Sequence, residues 1–138
     1  MAGELDVLAT VVGMDGSQPR AQVVRGLVGQ PLDVETVQAP DGADLTFVVF
    51  DGVELTIKHD IVTAVVVHLT ADDDHGAYPR AERLLPGGGA TLVRSDLVER
   101  LGDPDDLDGQ DLFPLGAGSV LADYADGTVT RLTLLPQV

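Results

Sequence analysis

The stretch Val53-Glu-Leu-Thr-Ile-Lys-His-Asp-Ile-Val-Thr63 contains the pattern that decides the fold. Apolar and polar residues alternate from Val53 to Ile57, which is the period-two pattern of a strand that buries one face. The dipeptide His59-Asp60 interrupts the alternation before a second apolar run begins. The stretch therefore predicts a β-hairpin that packs one face against the rest of the protein.

The same hairpin pattern recurs in the second half of the chain. Val53–Ile57 corresponds to Val120–Tyr124 at an offset of 67 residues, and His59-Asp60 corresponds to Asp126-Gly127 at the same offset. Asp-Gly is a strong signal for a two-residue hairpin turn. The order and the spacing of the matches therefore predict an internal duplication.

Upstream of the strands, two apolar stretches each end in Gly and then Pro. Val28-Gly-Gln-Pro31 and Leu101-Gly-Asp-Pro104 match at an offset of 73 residues. Gly accepts the left-handed conformation that ends many helices, and Pro cannot continue a helix. Ser17 and Ser95 precede the two stretches and are predicted to be the N-caps. The sequence thus predicts two helices that end at these glycines.

A shorter helical run precedes each of these helices, within residues 5–12 and 79–85. The first strands are predicted at 45–50 and 111–115, and Pro114 makes the second segment either an edge strand or not a strand. We therefore predict an α+β fold that forms a single domain over residues 1–138. Internal repeats cover about 1–70 and 71–138, and each has a helix-loop-helix followed by three antiparallel strands, with the helices on one face of the sheet.

Alternation also assigns the strand residues to two faces of the sheet. One face is apolar in both halves and is predicted to be covered by the helices, whereas the other is mixed and is called the open face. The predicted core consists of Leu27, Phe47, Leu55, Ile57, Val65, Val67, Leu97, Leu101, Tyr124, Leu132 and Leu134. The open face carries Glu54, Lys58, His68 and Asp123 among threonines and aliphatic residues.

The composition is that of a small globular protein with few aromatic residues. Hydrophobic residues make up 44% of the 138 residues, aromatic residues make up 4%, and cysteine is absent. A disulfide framework and thiolate chemistry are therefore excluded. Glu4 and Asp6 stand where a signal peptide needs basic residues, and the chain has no apolar run as long as a membrane span. We expect a cytoplasmic protein that does not bind membranes.

Negative charge is the strongest signal in the composition. The chain has 23 acidic and 8 basic residues and a formal net charge of −15. Such a surface repels nucleic acids and attracts cationic proteins. Seven Asp residues and no Lys or Arg lie between Leu101 and Thr130, and five of them fall within nine positions: Asp103, Asp105, Asp106, Asp108 and Asp111.

Residue patterns that would indicate catalysis are weak. The three histidines, His59, His68 and His75, have no zinc-ligand spacing, and Asp72-Asp-Asp-His75 lacks the ligand periodicity of a calcium loop. The three serines stand in no nucleophile-elbow motif, and the glycine clusters have no following lysine as in a phosphate-binding loop. We expect a protein that is not an enzyme and that binds no metal or cofactor.

The segments Gly13-Met14, Arg20–Val23 and Val28–Pro31, followed by strands, resemble the repeat of the beta-lactamase inhibitory proteins. They are also similar to the unit of the small SmpA/OmlA outer-membrane lipoproteins. The resemblance implies a scaffold that presents a sheet face to another protein. Small acidic proteins of this layout also look like the bacterial immunity proteins that neutralise toxins.

Two functions follow from these observations. The first is a non-catalytic inhibitor or immunity protein that neutralises a cationic toxin or enzyme through its acidic surface. The alternative is a small sensory or ligand-binding accessory domain that uses a pocket between helices and sheet. For the first function the candidate partner-binding residues are Asp103, Asp105, Asp106, Asp108, Asp111, Glu54, Lys58, His68 and Asp123. The oligomeric state stays open.

Overall fold

A computed structural model describes residues 4–9, 11–13, 32–50, 52–70, 77–78, 84, 92–115 and 118–135. These residues form eight strands and two short helices. The strands are β1 Asp33–Gln38, β2 Asp44–Val49, β3 Val53–Lys58, β4 Ile61–His68, β5 Asp105–Leu107, β6 Gln110–Leu115, β7 Gly118–Ala125 and β8 Thr128–Leu135. The helices are α1 Glu4–Ala9 and α2 Arg94–Leu101.

All eight strands belong to one antiparallel sheet with the order β1-β2-β3-β4-β8-β7-β6-β5. Two meanders of four strands each meet in the middle, where β4 pairs with β8. The predicted α+β fold with tandem helix-loop-helix units is therefore wrong, because the described part of the protein is nearly all β. The prediction of repeats at 1–70 and 71–138 extends beyond the described residues and stays a prediction.

The two strands that the sequence analysis missed lie at the edges of the sheet. The sequence predicts no strand before 45–50 in the first half or before 111–115 in the second, but residues 33–38 and 105–107 form β1 and β5. Asp108 and Gly109 both have positive φ, 52° and 90°, which is typical of a type I′ turn between β5 and β6. β5 pairs with residues 110–112 only, so among the described residues Pro114 is paired with β7 alone. β6 itself lies between β7 and β5, so Pro114 occupies a locally unpaired position of an interior strand and not an edge strand.

The end of α2 agrees with its prediction, whereas its beginning does not. The helix ends at Gly102, which has a φ of 100° and donates its N–H to Val98 O at 3.0 Å. Val93 is the N-cap in place of Ser95, and the Asp96 carboxylate accepts the Val93 N–H at 3.0 Å. An acidic residue in the first turn also suits the positive end of the helix dipole. The predicted positions at Ser17, Leu27 and Gly29, and most of 79–85, lie outside the described residues.

The two central hairpins share an irregularity that alternation cannot predict. The strand register shifts between Thr56 and Ile57 in one hairpin and between Asp123 and Tyr124 in the other. In each, a threonine hydroxyl donates to a backbone carbonyl across the hairpin, from Thr63 to Thr56 at 3.2 Å and from Thr130 to Asp123 at 3.3 Å. In each hairpin one residue, Thr63 or Thr130, is extra in the strand pairing. This extra residue lets side chains three positions apart face the same side of the sheet. Val62 and Val65 are consequently both buried, and so are Val129 and Leu132.

The core lies between the sheet and the helices, on the face that alternation predicted. Leu5 and Leu8 of α1 and Leu97 of α2 pack there with Phe113 of β6. Of the predicted core residues, Leu55, Val65, Val67, Leu97, Leu132 and Leu134 are buried, and Ile57, Leu101 and Tyr124 are partly buried against them. Phe47 was assigned wrongly: it pairs with Thr56, which places it on the open face.

Candidate partner-binding surfaces

Four aspartates form what we call the acidic edge: Asp103, Asp105, Asp106 and Asp108. All four are exposed, and they lie along β5 and its turn at one lateral edge of the sheet. Asp105 pairs with Leu112 and so faces the open side, whereas Asp106 pairs with Asp111 and faces the helices. The short strand thus distributes negative charge over both faces of one edge.

Asp111, the fifth aspartate of the predicted cluster, is not part of that surface. Only 9% of its side chain is exposed, and one carboxylate oxygen accepts both Arg94 Nε and the Tyr124 hydroxyl at 2.7 Å each. Arg94 begins α2, Asp111 lies on β6, and Tyr124 lies on β7. Asp111 therefore fastens the helix to the sheet, and charge-assisted hydrogen bonds compensate for the burial of its charge.

The same contacts change the ionisation of the groups around Asp111. Burial, reinforced by the hydrogen bond to Asp111 and the charge of that carboxylate, raises the pKa of the Tyr124 hydroxyl far above its usual value. The hydrogen bond to Asp111 and the attraction of that carboxylate raise the pKa of the Arg94 guanidinium. Both shifts favour the protonated partners that Asp111 needs.

In the folded protein, Tyr124 should ionise above the usual tyrosine pKa of about 10, and Tyr124→Phe removes this ionisable hydroxyl. A pKa that is raised in the folded state contributes stability below the unfolded pKa, and this contribution is lost as the pH rises above about 10. Tyr124→Phe should therefore cost about 1 kcal/mol at neutral pH, and the difference from the wild type should shrink in alkali. Phenolate absorbance and urea unfolding at several pH values measure both effects. If the difference in the free energy of unfolding between the wild type and Tyr124→Phe stays constant from neutral to alkaline pH, the expectation is wrong.

The predicted open-face residues lie in different surroundings. His68, Arg131, Asp123 and Gln110 follow one another across four neighbouring strands. Arg131 Nε donates to an Asp123 carboxylate oxygen at 2.9 Å, and the Gln110 amide donates to the other oxygen. The Asp123 carboxylate is therefore already engaged within the protein. His68 is buried, which removes most of its side chain from contact with a partner.

Lys58 and Glu54 complete the set of predicted open-face residues. Lys58 Nζ lies 2.6 Å from Asp41 Oδ2, and this pair is partly exposed. The contact with Lys58 lowers the pKa of Asp41, and a hydrogen bond from the Ala43 amide lowers it further. Glu54 is half-buried on β3. Of the predicted open-face residues, Lys58 and Asp123 are therefore paired within the protein and His68 is buried, so the acidic edge holds the least compensated charge of the predicted set.

A depression of about 420 Å³ lies on β1, β2 and β3 beside the turn between β3 and β4. Its lining residues are Thr36, Asp44, Thr46, Ile57, His59 and Asp60. The Thr36 and Thr46 hydroxyls are 3.1 Å apart and bond to each other. Among the described residues, no group of three or more His, Asp or Glu could hold a metal ion.

The edge strand β1 is a surface that the sequence analysis did not anticipate. All six of its residues are exposed, and Leu32, just before it, is 72% exposed. Val34, Thr36 and Val37 were a usable signal, because β-branched residues are enriched in strands. The segment between the Pro and the hairpin is six residues longer in the first half than in the second, so comparison of the two halves gives no match for β1.

Comparison of the chain with models of protein families, with curated proteins and with solved structures finds no match. In the described parts of the chain, no helix has the length and apolar character needed to cross a membrane.

Proposed function

We propose that this protein is a non-catalytic protein-binding domain that neutralises a cationic toxin or enzyme as an inhibitor or immunity protein. The acidic edge supports the proposal most directly. Asp103, Asp105 and Asp108 are exposed, and among the described residues none of the three has an ion-pair partner. Uncompensated negative charge of this kind steers a basic partner toward the edge and raises the association rate.

The remaining surface adds to the same field. The net charge is −15, and three of the four described Lys and Arg residues, Lys58, Arg94 and Arg131, are each paired with an aspartate, whereas Arg100 is exposed at the end of α2. Toxins and enzymes that act on anionic substrates have basic clefts. An acidic edge that covers such a cleft excludes the anionic substrate both electrostatically and sterically. On this proposal the protein acts in the cytoplasm, and its partner is a protein rather than a nucleic acid or a membrane.

The proposal is tested first by identifying the partner. The purified protein serves as bait in a lysate of its own organism at low ionic strength, and mass spectrometry identifies the captured protein. The proposal requires a basic partner whose activity falls when the complex forms. An acidic partner, or one whose activity is unaffected by binding, would overturn it.

Once the partner is known, we expect Asp105→Asn with Asp108→Asn to slow association roughly three-fold at low salt. The difference from the wild type should largely vanish near 150 mM salt, where the Debye length is about 8 Å. Stopped-flow fluorescence measures the rates. Stability should change little, because Asn tolerates the positive φ of Asp108.

The matched control is Asp44→Asn with Asp60→Asn. Asp44 begins β2 as Asp105 begins β5, and Asp60 lies in a hairpin turn with a φ of 64° as Asp108 lies in one with 52°. The control removes the same charge from the opposite half of the sheet. If both double variants slow association equally, only the net charge matters and the acidic edge is not the binding site.

A further inference from the structure

The outer edge of β1 is an unpaired strand edge that no described residue covers. The strand pairs with β2 on one side over its whole length, from Asp33 opposite Val49 to Gln38 opposite Asp44. On the other side, the described part of the chain contributes no strand. Exposed edges of this kind are the sites at which proteins accept an added strand.

The hydrogen-bond pattern shows which backbone groups face outward. Ala39 N donates to Ala43 O at 2.7 Å, so these two residues form a hydrogen-bonded pair just past the end of the ladder. Hydrogen-bonded and non-hydrogen-bonded pairs alternate along antiparallel strands. The backbone N–H and C=O groups of Val34, Thr36 and Gln38 therefore point away from β2. The Val34 N–H donates a hydrogen bond to Asp33 Oδ1 at 2.9 Å, so it is not available to an added strand. Thr36 and Gln38 therefore offer the donors and acceptors for an added strand.

The two lateral edges of the sheet differ in their protection against strand addition. Edge β5 has three residues, follows Pro104 and carries adjacent aspartates. Short length, proline and charge are the usual devices that protect an edge. Edge β1 has six residues in unbroken register and contains neither Pro nor Lys, and Val34 on it is 57% exposed. Edge β1 also carries charge, at Asp33 and Glu35, but it has neither the short length nor the adjacent proline that protect β5.

Charge decides which kind of strand fits this edge. Asp33 and Glu35 project on the open face beside Val49 and Phe47, whereas Val34 and Thr36 project on the other face. A second copy of this chain would bring another charge of −15 to the same place. Directly opposed side chains on neighbouring strands lie about 5 Å apart. A strand with Lys or Arg opposite Asp33 and Glu35, and an apolar residue opposite Val34, complements all three.

We propose that β1 accepts an extended segment of the partner as a ninth strand, in which basic residues alternate with β-branched ones. The inference rests on the proposed function for the positive charge of the partner. The backbone of Thr36 and Gln38 supplies the hydrogen bonds, and the carboxylates of Asp33 and Glu35 select the alternating basic pattern. This second contact lies at the opposite edge of the sheet from the acidic edge.

The test uses a fluorescent six-residue peptide that alternates lysine with valine as its probe. Its control is a peptide of the same composition with three lysines followed by three valines. Fluorescence anisotropy at low salt measures binding to the intact protein. We expect the alternating peptide to bind about ten-fold more tightly than the block peptide, because only alternation matches hydrogen bonds and charges together.

Backbone methylation of the peptide tests strand addition without changing the protein. In an added strand every second N–H faces β1. One methylated isomer, blocked on that set of nitrogens, should lose at least about ten-fold in affinity, and the isomer blocked on the other set should retain it. On the protein side, Thr36→Pro should weaken binding similarly, while Thr36→Val, which loses only the hydroxyl, should not.

Equal binding of the block peptide, or equal loss for both methylated isomers, would overturn the inference. So would a dimer of the protein alone that Thr36→Pro dissociates, because the edge would then belong to a second copy. These outcomes are separable from failure of the proposed function. If the Asp105 and Asp108 variant slows association with the captured partner while no peptide prefers β1, only this inference fails.

Discussion

We expect Gly52→Ala to lower the free energy of unfolding by about 2–5 kcal/mol, from backbone strain and overpacking together. Gly52 has a φ of +79°, a conformation that L residues rarely adopt, and it is buried between β2 and β3. A Cβ at this position would meet the backbone of Tyr78, which cannot move aside as a flexible side chain could. The Gly52 carbonyl also accepts the His68 N–H at 2.8 Å, so a shift here would disturb β4.

Gly127→Ala is the matched control for this prediction. Gly127 has the same φ of +79°, but a Cβ there meets nothing within 4 Å. The control should therefore cost only the backbone strain, about 1–2 kcal/mol. Urea unfolding of both variants measures the difference. Equal losses would show that the approach of Tyr78 to Gly52 contributes nothing to stability.

The second large effect is expected at Leu132, in the middle of the sheet. Leu132 is fully buried on β8 between Val67 of β4 and Ala122 of β7. Leu132→Ala removes apolar contacts and leaves a cavity that rigid strands cannot fill by collapsing. We expect a loss of about 2–5 kcal/mol in the free energy of unfolding.

Leu135→Ala on the same strand provides the comparison. Leu135 is half-buried on the opposite face, so the same truncation should cost about 1 kcal/mol or less. Denaturant unfolding of the two variants distinguishes the faces. If Leu135→Ala costs more than Leu132→Ala, the open face carries the core in solution and the assignment of the two faces is reversed.

The two proposed contacts lie at opposite ends of the strand order, with β1 first and β5 last. The acidic edge is suited to steering, since its carboxylates are exposed and its strand is too short to add another. The edge of β1 is suited to holding, since its backbone groups form directional hydrogen bonds. Loss of the first should mainly slow association, and loss of the second should mainly speed dissociation.

The central hairpins are predictable from the sequence because their signal is local. The alternation in β3 and β7 needs only a buried face, and the turn at Asp126-Gly127 needs only residues that accept positive φ. The same holds for the end of α2 at Gly102, where a glycine relieves the strain. Asp111 is different: it belongs to the cluster of five aspartates in the sequence, but in the structure it is buried against Arg94 and Tyr124. Only the neighbours of a carboxylate decide whether its charge is available.

The sequence by itself determined the acidic charge, the hairpins around His59-Asp60 and Asp126-Gly127, and the apolar face of the sheet. These properties depend on composition, on turn conformation and on period-two alternation, all of which are local. Only the tertiary structure decided that residues 33–38 and 105–107 are edge strands. A strand of low apolar content forms when a neighbouring strand satisfies its backbone hydrogen bonds, and that neighbour is supplied by the fold. For the same reason, the tertiary structure alone distinguished the exposed aspartates of the acidic edge from the buried Asp111.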